Sequence, residues 1–143
     1  MDSNRKEKPK KILFADDEVL FRKAVGDMLI LAGYEVVLAE DGQSALQKVS
    51  TEMPDLVISD VLMPGLNGLF LCKVAKILYP DMKVILLTGI ATEPVYETRA
   101  RTEYRADALL KKPIRIRDLV DCVEGLLSGS CQTFDSPAPR PYM

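Results

Sequence analysis

KKILFADDEVL, residues 10–20, runs from two lysines through an apolar stretch, Ile12 to Ala15, straight into three acids, Asp16, Asp17 and Glu18. A short continuous apolar run of this kind reads as a strand covered on both faces. The acids that end it are awkward neighbours, because adjacent carboxylates repel one another unless a cation relieves them. A strand tip built this way implies a positive partner.

The strand pattern recurs along the chain. KILFAD (11–16) is followed by YEVVLAE (34–40), DLVISD (55–60), KVILLTG (83–89) and DALLKKP (107–113). The stretches between them have helical spacing. A helix over 19–32 places Leu20, Ala24, Met28 and Leu31 on one face, with Gly33 as its stop. Further helices are expected over 43–52, after Asp41-Gly42, and over 66–78, between Pro64-Gly65 and Pro80. A polar helix over 93–104 and an amphipathic one over 114–127 complete the set, the last with Ile116, Leu119, Val120, Val123 and Leu127 at helical spacing. Five alternations of strand and helix predict an α/β fold, a parallel sheet with helices on both faces. Residues 1–10 read as a flexible basic lead-in, 11–127 as one domain and 128–143 as a Ser/Pro-rich tail.

Composition narrows the chemistry. The 143 residues are 48% hydrophobic and 28% charged with a net charge of −2, a globular profile with no general field for nucleic acid. Asp2 and Glu7 dilute the basic run RKEKPKK, so it reads as a solvated tail. No apolar run is long enough to span a bilayer and no signal-peptide core is present, so a cytoplasmic location is expected. Cys72, Cys122 and Cys131 form no CxxC pair and suit reduced thiols, the first two as small buried hydrophobes. The chain has no histidine, which removes Ser-His and Cys-His nucleophile pairs and His-ligated zinc.

In an open α/β sheet the functional crevice lies at the carboxyl ends of the strands. Read in order, those ends carry Asp16 and Asp17, then Asp60, then Thr88 and Gly89, then Lys112. Each acid alone reads as an ordinary loop residue, and so do Glu40 and Asp41 on an outer strand. The joint pattern is harder to explain that way. Three carboxylates, a hydroxyl and an ammonium suit Mg²⁺, which takes oxygen ligands and keeps room for water and phosphate. Lys111 competes with Lys112, but strand alternation places the two on opposite faces.

With these residues in place, the chain resembles the receiver domains of two-component response regulators, over residues 11–127. The resemblance rests on Asp16-Asp17, on Asp60-Val-Leu-Met-Pro64 with Gly68 four residues later, on Thr88-Gly89 and on Lys112-Pro113. It implies a doubly wound, flavodoxin-like five-stranded sheet of order 2-1-3-4-5, an order taken from the family rather than read from residues. It implies that Asp60 accepts a phosphoryl group, that Asp17 binds Mg²⁺ directly and Asp16 through water, and that the Leu62 carbonyl is a further ligand. Thr88 and Lys112 would contact the phosphoryl group. Met63, Pro64 and Gly68 would shape the loop, and the Lys112–Pro113 bond would be cis. The donor would be a phosphohistidine on a sensor histidine kinase or phosphotransfer protein, the reader an unknown downstream protein, with a phosphorylation-dependent dimer left open. Such a protein is no enzyme beyond its own phosphorylation and dephosphorylation.

The chain departs from the family at Leu109, where an aromatic residue is usual, and the segment from Thr88 to Lys112 is about two residues longer than is usual for the family. Tyr104 is a candidate substitute for the missing ring. Leu62 and Ile90, two residues beyond Asp60 and Thr88, are expected to hinder a hydrolytic water. The alternative reading is the receiver piece of a longer regulator with a C-terminal output domain. A phosphatase or phosphotransferase built on an aspartate nucleophile would need a general acid that DVLMPG does not offer. A nucleotide-binding domain would need a phosphate-cradling GxxxxGK[ST] or GxGxxG loop, and none follows the first strand.

Overall fold

The computed structural model describes residues 8–89 and 94–129. In chain order the elements are β1 (Lys11–Ala15), α1 (Val19–Leu31), β2 (Glu35–Ala39), α2 (Gly42–Glu52), β3 (Leu56–Asp60), α3 (Gly68–Leu78), β4 (Lys83–Thr88), α4 (Pro94–Thr102), β5 (Ala108–Lys111) and α5 (Ile116–Ser128). The strands form one sheet in the order β2-β1-β3-β4-β5, and every neighbouring pair is parallel. This is the doubly wound architecture expected from the sequence. Ser128 of the expected tail belongs to α5 and Gly129 caps it, while residues 130–143 and most of the lead-in lie outside the described residues.

Strand alternation sorts the core into two layers. Ile12, Phe14, Leu56, Ile58, Ile85 and Leu87 pack with Val25 and Leu29 of α1 and Leu119 and Val123 of α5. Leu13, Ala15, Val57 and Leu86 join Ala45 and Val49 of α2, Leu71, Cys72 and Ala75 of α3 and Ala100 of α4. Every residue of β3 is buried, whereas Glu35 and Leu38 of the edge strand β2 are exposed. No helix among the described residues is long and apolar enough to cross a membrane.

Three local expectations need correction. The face of α1 that meets the sheet is Phe21, Val25 and Leu29, while Leu20 is 82% and Leu31 79% exposed and Met28 also faces outward. Apolar residues lie all round this helix, so periodicity could not choose; contact with Phe14 and β2 did. Helix α3 begins at Gly68 rather than Leu66, because Asn67 caps it by accepting the Phe70 N–H at 2.9 Å. Helix α5 likewise starts two residues late, at Ile116. Asp41 similarly caps α2, accepting the Ser44 N–H at 2.8 Å, so that Gly42 opens the helix.

A polar contact ties α3 to the sheet. The Lys76 ammonium lies 2.7 Å from Asp107 Oδ2, which also accepts the Val84 N–H at 2.8 Å. One turn earlier, the Cys72 thiol donates to the Tyr104 carbonyl, and burial pushes its pKa up to about 12 despite the nearby Lys76. Cys72 is thus an inert core thiol.

Helix α2 reaches the loop after β3 by a close approach that only glycine permits. A Cβ on Gly42 would lie 1.9 Å from the Leu66 carbonyl oxygen, a backbone atom with nowhere to retreat. Gly42→Ala is expected to cost about 2–3 kcal/mol, in the range of overpacked cores. A urea unfolding titration measures it.

Candidate functional site

The ends of β1, β3 and β4 and the turn after β5 meet at one edge of the sheet. Asp16 follows β1 and is wholly buried, while Asp17 beside it is exposed. Asp60 is the last residue of β3 and 8% exposed; Thr88, the last of β4, is buried. Lys112 follows β5, held by its backbone N–H donating to the Thr88 carbonyl at 2.7 Å.

The side chains converge as well as the backbones. Asp16, Asp17 and Asp60 each offer a carboxylate oxygen within 4.8 Å of the others. The Lys112 ammonium donates to Asp16 Oδ2 at 3.1 Å and to Asp60 Oδ2 at 3.3 Å. Asp16 is fixed on its other side, where Oδ1 accepts the Glu18 N–H at 2.8 Å and its carbonyl accepts from Arg22 Nη1 at 2.7 Å. One ammonium faces three carboxylates, so positive charge is in deficit.

The titration behaviour follows from this deficit. Burial raises the pKa of Asp60; Lys112 opposes the rise, and Asp16 and then Asp17 reinforce it. Burial alone would lower the pKa of Lys112, but the hydrogen bond and charge of Asp16, joined by those of Asp60, leave it raised. The donor set is all oxygen and partly open to solvent, which fits a hard divalent cation and not zinc or a soft metal.

Gly68, at the start of α3, packs against the backbone of Asp60. A Cβ there would lie 2.3 Å from the Asp60 carbonyl oxygen and 2.9 Å from Ser59 Oγ, which itself donates to that carbonyl. Within the loop between β3 and α3, Met63 is buried and Leu62 is 57% exposed. Lys111 is exposed, and the Lys112–Pro113 peptide is cis. Glu40 is exposed, and Asp41 serves as a helix cap. Leu109 is buried in the layer that Tyr104 also borders, and Ile90 lies outside the described residues.

The family model for the response regulator receiver domain matches residues 12–124. The chain belongs to that family. Among curated relatives, the response regulator MprA of Mycolicibacterium vanbaalenii is 35% identical over 119 residues, which are 83% of this chain and 51% of that protein. The receiver spans about half the length of the curated relatives it matches. A CheY-like receiver domain from Methanospirillum hungatei superposes with a TM-score of 0.80 at 30% identity, covering 86% of this chain and 97% of that one. TrrA from Thermotoga maritima, solved in complex with Mg²⁺ and BeF, gives a TM-score of 0.71 at 34% identity, covering 82% and 98%. Receiver domains are phosphoacceptors that bind Mg²⁺, and this receiver carries an acidic cluster suited to one.

Two members of the site were not singled out in the sequence. Arg22 and Phe21 lie on the first turn of α1, and Phe21 places its ring centroid 4.8 Å from Lys112 Nζ. Their position just after the acid pair was the available signal.

The raised pKa of Asp60 bears on stability. Because the folded value exceeds the unfolded one, the native receiver binds more protons between the two, and stability falls as pH rises through that window. Without a divalent ion at pH 7, Asp60→Asn is expected to raise Tm by about 4 °C, roughly 1 kcal/mol in a domain of this size. The gain shrinks as pH drops through the carboxylate range. Thermal melts at several pH values check it.

Proposed function

We propose that Asp60 is the phosphoryl acceptor of this receiver and that Asp16, Asp17 and the Leu62 carbonyl join it in holding Mg²⁺. The observation that carries this reading is the shared ammonium: Lys112 bonds Asp16 and Asp60 together at the sheet edge. An Asp60 oxygen attacks phosphorus as the bond from phosphorus to the donor imidazole nitrogen breaks, and the imidazole leaves with the electron pair. The 143 residues contain no histidine, so the imidazole comes from a histidine kinase or phosphotransfer protein. Little is asked of the receiver beyond in-line positioning and neutralisation of the phosphoryl oxygens.

Each side chain has a part in this. Lys112 turns a donor from Asp60 to a phosphoryl oxygen while keeping its bond to Asp16. Thr88 offers its hydroxyl from the end of β4. Asp16 and Asp17 hold the divalent ion, which supplies charge neutralisation. The receiver then catalyses only its own phosphorylation and dephosphorylation, in the cytoplasm. Movement of Thr88 toward the new oxygens alters binding of a downstream protein. A swing from 1:99 to 99:1 in such a switch needs about 5.5 kcal/mol of differential affinity. With Leu109 buried in the inner layer, no aromatic ring at that position reports the change.

The test is incubation of the whole chain with Mg²⁺ and acetyl phosphate, followed by intact mass. One added phosphoryl group is expected, lost in Asp60→Asn and without Mg²⁺ but kept in Asp81→Asn. Labelling that survives Asp60→Asn overturns the assignment. The exposed Leu62 side chain is expected to slow hydrolysis by shielding the phosphoryl group. Leu62→Asn should therefore hasten phosphate loss about threefold, equivalent to roughly 0.6 kcal/mol of barrier. The decay of the phosphorylated mass peak measures it.

A further inference from the structure

Phe21 stands one turn into α1, half-buried, and its ring meets that of Phe14 edge-on with centroids 5.9 Å apart and planes at 65°. Phe14 is wholly buried in β1, so the orientation of the Phe21 ring is set from the core outward. Its face is turned toward the site, with Lys112 Nζ 4.8 Å from the centroid. That is well within the range at which an aromatic quadrupole attracts a cation.

The contact answers a problem the site poses. Lysine carries its charge on a flexible four-carbon stem, and an ammonium has three donors to place. Asp16 and Asp60 accept from it at 3.1 and 3.3 Å, both on the pocket side. The ring attracts the ammonium through its π face yet offers no charged oxygen to compete with an incoming phosphoryl group. An aliphatic side chain of equal bulk would fill the same space without attraction.

We infer that Phe21 is a positioning residue for Lys112, its ring face holding the ammonium against the Asp16 and Asp60 carboxylates so that it is aimed at the transferred phosphoryl oxygens. This rests on the assignment of Asp60 above, but the contact itself can be tested without any phosphodonor. In the wild-type chain, the ε-methylene protons of Lys112 should be shifted upfield by the ring in a ¹H–¹³C spectrum. A random-coil shift overturns the inference outright, even if every variant at position 21 fails to fold. The shift should persist in Phe21→Tyr and vanish in Phe21→Leu.

Kinetics give the second arm. With Mg²⁺ and acetyl phosphate, Phe21→Leu should slow phosphorylation about fivefold, the scale of a cation–π contact at a part-exposed site, while Phe21→Tyr stays near wild type. In a Lys112→Gln background, Phe21→Leu should change the rate no further. Equal slowing in both backgrounds, or equal slowing by Tyr and Leu, shows a packing role and refutes the inference. A wild-type chain that takes no phosphoryl group but keeps the ring shift sinks the Asp60 assignment and leaves the contact standing.

Discussion

Three carboxylates offer oxygens within 4.8 Å of one another, and a single ammonium bonds two of them. That imbalance is what the rest of the molecule serves. Left in water the acids would separate; here Asp16 and Asp60 are buried at the tips of central strands and cannot. The site therefore keeps an appetite for positive charge, which suits it to a hard divalent ion. Phosphoryl transfer to a carboxylate needs the same charge, because the nucleophile and the group it attacks are both anionic.

Topology makes the crowding compulsory. In a parallel sheet all strands point the same way, so the residues that end β1, β3 and β4 emerge at one edge. The order β2-β1-β3-β4-β5 puts β1 beside β3, and hence Asp16 near Asp60. It also puts β5 beside β4, so the Lys112 N–H can bond the Thr88 carbonyl. Gly42 lets α2 close on the loop after β3, and Gly68 lets α3 close on the end of β3, at distances no side chain would allow. The contact at Gly68 also holds the start of α3 against the Asp60 backbone.

Much of this was legible in the residues. Ile12 to Ala15 and Leu56 to Ile58 read as buried strands because they are continuously apolar, and the acids beyond them mark the strand ends. Helix α1 was misread for a physical reason: Val19, Leu20, Phe21, Val25, Met28, Leu29, Ile30 and Leu31 surround its axis, so no stripe stands out. Contact with Phe14 in β1 and with β2 selects Phe21, Val25 and Leu29 as the inner face. The late start of α3 had a local cause, the Asn67 cap, which competed with the Pro64-Gly65 signal.

The chain by itself determined the alternation of strand and helix, the identity of the acids and the lysine, and the family to which they belong. These depend on local polarity and order, which are written in one dimension. Only the tertiary structure decided that one ammonium bridges Asp16 and Asp60, that Arg22 steadies the Asp16 backbone, and that Phe21 lies against Lys112. The Lys112 contacts join residues up to 96 positions apart, and only the assembled sheet brings them within reach; the Arg22 bond is local, but the sequence does not show that it forms.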